Sequence, residues 1–111
     1  MPPPRFKPSR LVENPRHFGR VEHPVWRVGH GLTAVERAWA LLQHRAAFVA
    51  YSAMSAAGLS VDDLAAAVGQ QSTWVVRKLN GHAPADVGDF VAWASVLGVD
   101  VWPVLDSTDF R

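Results

Sequence analysis

A chain of 111 residues with 49% hydrophobic and 19% charged side chains has the size and balance of one globular domain, with room for one core and a tail rather than two cores. The absence of cysteine excludes disulfides, thiolate metal sites and cysteine nucleophiles, and no apolar run reaches the roughly 18 to 20 residues that cross a bilayer. The net charge of +1 conceals two halves of opposite sign: residues 1–30 hold six bases (Arg5, Lys7, Arg10, Arg16, Arg20, Arg27) against Glu13 and Glu22, a balance of +4, whereas residues 31–111 hold five bases against eight acids, a balance of −3.

Six of the eight prolines fall in the first 30 residues. Each removes a backbone donor and biases its predecessor away from the helical region, so 1–30 reads as an extended, basic, proline-rich arm, partly disordered. Phe6, Phe18, Val25 and Trp26 give it apolar points with which to dock, and its last third is where order is expected. On this reading the body, 31–111, folds without residues 1–27.

The body reads as all-α. Thr33-Ala34-Val35-Glu36 is a capping box, which predicts a helix from Ala34. The run to Ala57 lacks Gly and Pro, and Val35, Trp39, Leu42, Ala46 and Val49 recur at helical spacing as the expected inward stripe, with Gly58 as the stop. Leu41, Phe48 and Tyr51 widen the apolar surface, so either the docked arm or a second subunit is expected against another side. Ser60 with Asp63 starts a short helix over 61–68 that turns Val61, Leu64 and Val68 inward, and Gly69 breaks it. A third helix is predicted from Ser72 to Asn80, closed by Gly81 and Pro84. The fourth, about Ala85 to Leu97, carries Val87, Phe90, Val91, Trp93, Ala94 and Leu97 and ends at Gly98. A last turn around Trp102-Pro103 makes five helices around one small core.

Two short helices joined by a glycine turn describe a helix-turn-helix. The order Gly58-Leu59-Ser60, Leu64-Ala65, Val68-Gly69, Val75, Leu79, Gly81, Pro84 and Leu97-Gly98-Val99 resembles the Cro and lambda-repressor-like helix-turn-helix family, also called the xenobiotic-response-element type. The stretch STWVVRKLNGHAP followed by DFVAWASVLGVDVWPVL is similar to small repressors of actinobacteria and their phages. The likeness spans about residues 45–105 and leaves the arm aside. It implies a compact lambda-repressor-like domain, double-stranded DNA as the partner, and a homodimer on two half-sites as one way of binding it. It also implies a repressor that acts in the cytoplasm, nucleoid-associated or in the host if phage-encoded. By the same resemblance Gln71, Ser72, Thr73 and Trp74 enter the groove, Arg77, Lys78, Asn80 and His82 lie nearer phosphates, and Gln70 is counted among the DNA-binding residues. Val61 stands where many members have a phosphate-holding glutamine, which leaves Ser60 and the adjoining amides for that contact.

The residue chemistry stands beside the resemblance. Small Ala65 lets the two helices cross closely, and Val68, Val75 and Leu79 lock them together. Glutamine and asparagine pair bidentately with adenine, arginine pairs so with guanine, and threonine or an aromatic ring meets the thymine methyl. Arg5, Lys7 and Arg10 of the arm are the further phosphate contacts. Trp74 reads equally as a base contact or as cover for the core edge. The second functional class is a protein-interaction module, an antitoxin or adaptor on the same helices. No catalytic motif or phosphate-cradling glycine loop occurs, and Asp62, Asp63, Asp86 and Asp89 sit at predicted helix starts, where the macrodipole accounts for them. His17, His23, His30, His44 and His82 lack metal-ligand spacing and read as solvent-facing or lightly hydrogen-bonded. The expectation is therefore no enzyme, metal, cofactor or small-molecule ligand, and no membrane partner.

Overall fold

The computed structural model describes residues 7–27 and 34–99, and its regular structure is helical. Four α-helices follow one another: α1 (Ala34–Ala57), α2 (Val61–Val68), α3 (Ser72–Leu79) and α4 (Val87–Leu97). Two 3-10 turns, Pro8–Leu11 and Pro15–His17, precede them. Four helices thus stand among the described residues where five were expected. The expected turn at Trp102-Pro103, like Thr33 of the first capping box, Arg5 and His30, lies outside those residues.

Local chemistry sets most boundaries. Ser60 accepts from the Asp63 amide while the Asp63 carboxylate accepts from the Ser60 amide, so α2 begins on a complete capping box. Asp86 and Asp89 repeat the device at α4, which starts two residues later than expected because Asp86 is its cap rather than part of its first turn. Gly69 ends α2 at φ 72°, a left-handed conformation that leads into the short turn before α3.

The core differs from the expected stripes. On α1 the expected stripe holds in part, with Ala46 buried and Leu42 and Val49 half-buried against the core but Val35 exposed, while the deepest burial extends to Ala40, Gln43, His44, Ala47, Ala50 and Met54, which the stripe left out. Bulk is not what this face needs. Alanines admit close backbone approach, and Gln43 satisfies main-chain groups: its Nε2 donates to the carbonyls of Lys78 (2.7 Å) and Ala83 (2.9 Å), and its Oε1 accepts from the Ala85 amide (2.7 Å). Trp39 also reaches the connection between α3 and α4, donating to the Ala85 carbonyl at 2.7 Å. Leu64, Val75, Leu79, Phe90 and Trp93 complete the centre. Of the apolar residues that the fourth helix carries, Phe90 and Trp93 define its inner face, while Val87 and Val91 are exposed, Val91 lying one 100° step off Phe90.

The largest departure concerns the arm. Val12 and Phe18 are 0% and 1% exposed and belong to the same core as the helices. Segment 11–27 closes on itself at an antiparallel bridge between Val12 and Trp26, with Glu13 N–H donating to the Val25 carbonyl (2.8 Å) and Arg27 N–H to the Leu11 carbonyl (2.7 Å). Pro8–Leu11 lies along α1, and the Ser9 amide donates to the Gly81 carbonyl just past α3. Burial is thus concentrated at Pro8, Ser9, Leu11 and Val12 and at Phe18 and Gly19, with Pro24 the buried residue of 21–27. Proline forbade a long helix here as expected, yet an irregular segment remains a core element when its backbone groups find such partners.

His44 explains how the segment docks. It is buried, whereas a solvent-facing or lightly bonded histidine was expected. Its Nδ1 accepts from the Gly19 amide at 2.8 Å, which leaves Nε2 to donate to the Glu22 carbonyl at 3.3 Å. Phe18 and Trp26 meet the ring edge-on, each with centroids 5.5 Å away. Burial, opposed in part by the hydrogen bond to Glu22, holds the His44 pKa below the ordinary 6.5.

Candidate nucleic-acid interface

Helix α3 has a sharply divided surface. Val75 and Leu79 point into the core, while Gln71 and Thr73 are exposed and Trp74 is 44% exposed. Half-buried Arg77 lays its guanidinium over the Trp74 ring at 5.2 Å from the centroid, one helical turn on. Ser72 is half-buried at the start of the helix. No side chain caps that start and its first turn has no acid, unlike α2 and α4 with their aspartate boxes. The N-cap and first two turns of α3 therefore gather an amide, a hydroxyl, an indole and a guanidinium on the outer side.

Other candidate residues are engaged elsewhere. Lys78 bonds Asp89 Oδ1 at 2.9 Å, the two side chains being 18% and 5% exposed, so this ammonium ties α3 to α4 and is not a free phosphate contact. The exposed Gln70 has its Nε2 3.5 Å from the same carboxylate oxygen, a long contact. Asn80 Oδ1 accepts from the Tyr51 hydroxyl at 2.7 Å and lies 3.5 Å from Arg20. Ser60 Oγ donates to Asp63 at 2.9 Å; these bonds from the Ser60 amide and hydroxyl lower the Asp63 pKa, so the start of α2 already holds a carboxylate where a phosphate was expected. His82 is exposed. Lys7, just before the Pro8–Leu11 turn, is half-buried, and Arg10, within it, is exposed.

The structure adds residues that the sequence reading left out of the site. Arg20 lies over the Tyr51 ring at 4.0 Å and donates to its hydroxyl at 3.0 Å. Burial raises the Tyr51 pKa against the opposing pull of that guanidinium. Arg16 and Arg20 straddle Phe18 and come beside Asn80 and His82, past the end of α3, around a cleft of about 300 Å³. The excess of bases in the arm pointed to such a role, but nothing local distinguished these two arginines from the arm's other four bases.

Among the described residues no group of three His, Asp or Glu is placed to hold a metal ion, and no helix is long and apolar enough to cross a membrane. Compared with protein-family models, with curated proteins and with solved structures, the chain matches none. The molecule is thus defined by its class, an all-helical domain with an irregular N-terminal segment built into its core.

Proposed function

We propose that this chain is a sequence-specific DNA-binding regulator, a repressor of phage or mobile-element type, whose α2 and α3 form a helix-turn-helix of the Cro and lambda-repressor-like kind. One observation carries the reading: α3 is anchored by two fully buried residues and turns Gln71, Thr73, Trp74 and Arg77 outward. A short helix so held fits the major groove and offers hydrogen bonds and apolar contact to base edges. Gln71 reads an adenine edge, Thr73 and Trp74 meet thymine methyls, and Arg77 contacts the backbone. Two copies on neighbouring half-sites supply the affinity that one small module lacks.

Selection of bound sequences from random duplexes tests this. A recovered motif whose discrimination relaxes in Gln71→Ala at one or two positions, at about 1–3 kcal/mol on the selected site and little on random DNA, supports the reading. Failure to enrich any sequence removes it. A second class, the protein-interaction module, draws on the exposed Val87, Val91 and Val96 of α4. Salt separates the two, since binding through Z phosphates weakens at about 0.9Z per decade of salt whereas an apolar contact hardly responds.

A further inference from the structure

Helix-turn-helix binding faces a charge difficulty in this molecule. The body is acidic, Lys78 is spent on Asp89, and the start of α2 holds Asp63, so α3 itself offers Arg77 as its one cation outside an ion pair among the described residues. The cations that meet a polyanion must come from the N-terminal segment, and the structure brings two of them to the end of α3.

We infer that the cleft bounded by Arg16, Arg20 and His82 is a phosphate-binding site, and that its ligand is a backbone phosphodiester of the DNA that α3 reads. The inference deepens the proposed function and rests on it for the source of the phosphate. The cleft, about 300 Å³, is lined by Pro15, Arg16, Phe18, Arg20, Asn80 and His82. Neither arginine is within ion-pair distance of a carboxylate of the described residues, and the Lys78–Asp89 pair lies elsewhere. Arg20 is held in place by the Tyr51 ring and hydroxyl, so little side-chain freedom is lost when an anion arrives. Planar guanidinium forks match the paired oxygens of a phosphate, and an imidazole at the rim adds a donor.

The carboxyl end of a helix ordinarily repels an anion. At α3 that field is blunted, because its last carbonyls are already partnered: Val76 accepts from the Asn80 amide, Arg77 from the His82 amide, and Lys78 from both Gly81 and Gln43. The basic segment thus completes an interface that α3 begins, with base-reading groups at one end of the helix and phosphate-holding groups past the other.

The test uses the full chain with Arg16→Gln, Arg20→Lys and the double variant Arg16→Gln/His82→Gln, on a duplex recovered by selection and on random duplex. Thermal melting confirms that each variant is folded, and Arg20→Lys keeps the charge while losing the fork. The expected result is equal weakening on both duplexes, with Arg16→Gln flattening the salt slope by about one unit and base preference unchanged. In parallel, the guanidinium Nε–Hε signals of Arg16 and Arg20 are followed by NMR during titration with inorganic phosphate against chloride at equal ionic strength. Wild-type binding that selects a motif, with slopes untouched by all variants, overturns the cleft and leaves α3 as reader. Loss of duplex binding altogether in the wild type, with phosphate shifting both arginine signals, keeps the cleft as a site for free phosphate and overturns DNA as its source. Signals that ignore phosphate, with unchanged slopes, overturn the site.

Discussion

Replacing Gly81 with alanine measures how firmly the proline-rich segment is built into the fold. A Cβ on Gly81 falls 2.7 Å from Phe18 Cδ1, 2.8 Å from Cε1 and 2.9 Å from Cγ, and the backbone there has φ 74°. Gly69 is the natural reference, with φ 72° and nothing within 4 Å of the added atom. Gly69→Ala therefore reports left-handed backbone strain alone, about 1 kcal/mol. Gly81→Ala adds displacement of a ring that is 1% exposed, an overpacking cost of about 1–3 kcal/mol, for a total of about 2–4 kcal/mol. Urea unfolding followed by far-ultraviolet circular dichroism resolves the two variants, against a total stability on the order of 5–15 kcal/mol. Phe18→Ala closes a double-mutant cycle, with all proteins held in the same concentration of a stabilising osmolyte. Without the ring, Gly81→Ala falls back to the cost of Gly69→Ala. Equal costs at Gly69 and Gly81 in the parent protein, or strict additivity with Phe18→Ala, would refute the packing of Phe18 over the end of α3.

Deleting residues 1–27 removes Leu11, Val12 and Phe18, each contributing about 1.5–3 kcal/mol on burial, so helicity and melting temperature fall sharply by circular dichroism; an unshifted melt contradicts this. The lowered pKa of His44 makes the unfolded chain the better proton acceptor, so stability is full above about pH 6.5 and declines as pH drops through that value toward the folded pKa. Urea midpoints across pH show this decline in the parent and a flatter profile in His44→Gln, whereas matching profiles exclude the imidazole as its source. Lys78→Met leaves Asp89 without its cation and lowers stability by about 2 kcal/mol with little change in the salt slope of DNA binding, while Arg77→Ala flattens that slope by about one unit and leaves the melt nearly unchanged. Titration and melting of both variants check the division, and a flattened slope in Lys78→Met contradicts it.

What the sequence disclosed was decided by local chemistry. Ser60 with Asp63, Gly69, and Gly81 followed by Pro84 each act within a few residues, and they placed α2 and α3 to within one residue. The inner face of α1 escaped because apolar periodicity weighs size, whereas packing there selected alanine and two hydrogen-bonding side chains, Gln43 and His44. On α4 the mixed spacing did not say which apolar residues turn inward, and Phe90 and Trp93 take that side while Val87 and Val91 face out. In the candidate interface, Arg77 and Lys78 are adjacent and chemically alike. Only the position of Asp89 on the next helix separates a cation with a buried partner from one that lies over an exposed indole. Arg16 and Arg20 became members of the site through the docking of Phe18 and Gly19 against α1 and the end of α3, contacts far apart in sequence that no local motif encodes.

The tie between the Ser9 amide and the Gly81 carbonyl also fixes an order of events. This segment precedes its seats in the chain, so His44 on α1 and the backbone beyond α3 are synthesised after it. Helices form from neighbouring residues quickly, but this segment has to wait until Gly81 has emerged and then close a long loop, a slow entropic step beside helix growth. Residues made before α1 and α3 are thus seated after them. Until they are, α1 presents an imidazole and a row of alanines to water, and the completion of native packing is timed by chain closure rather than by helix formation.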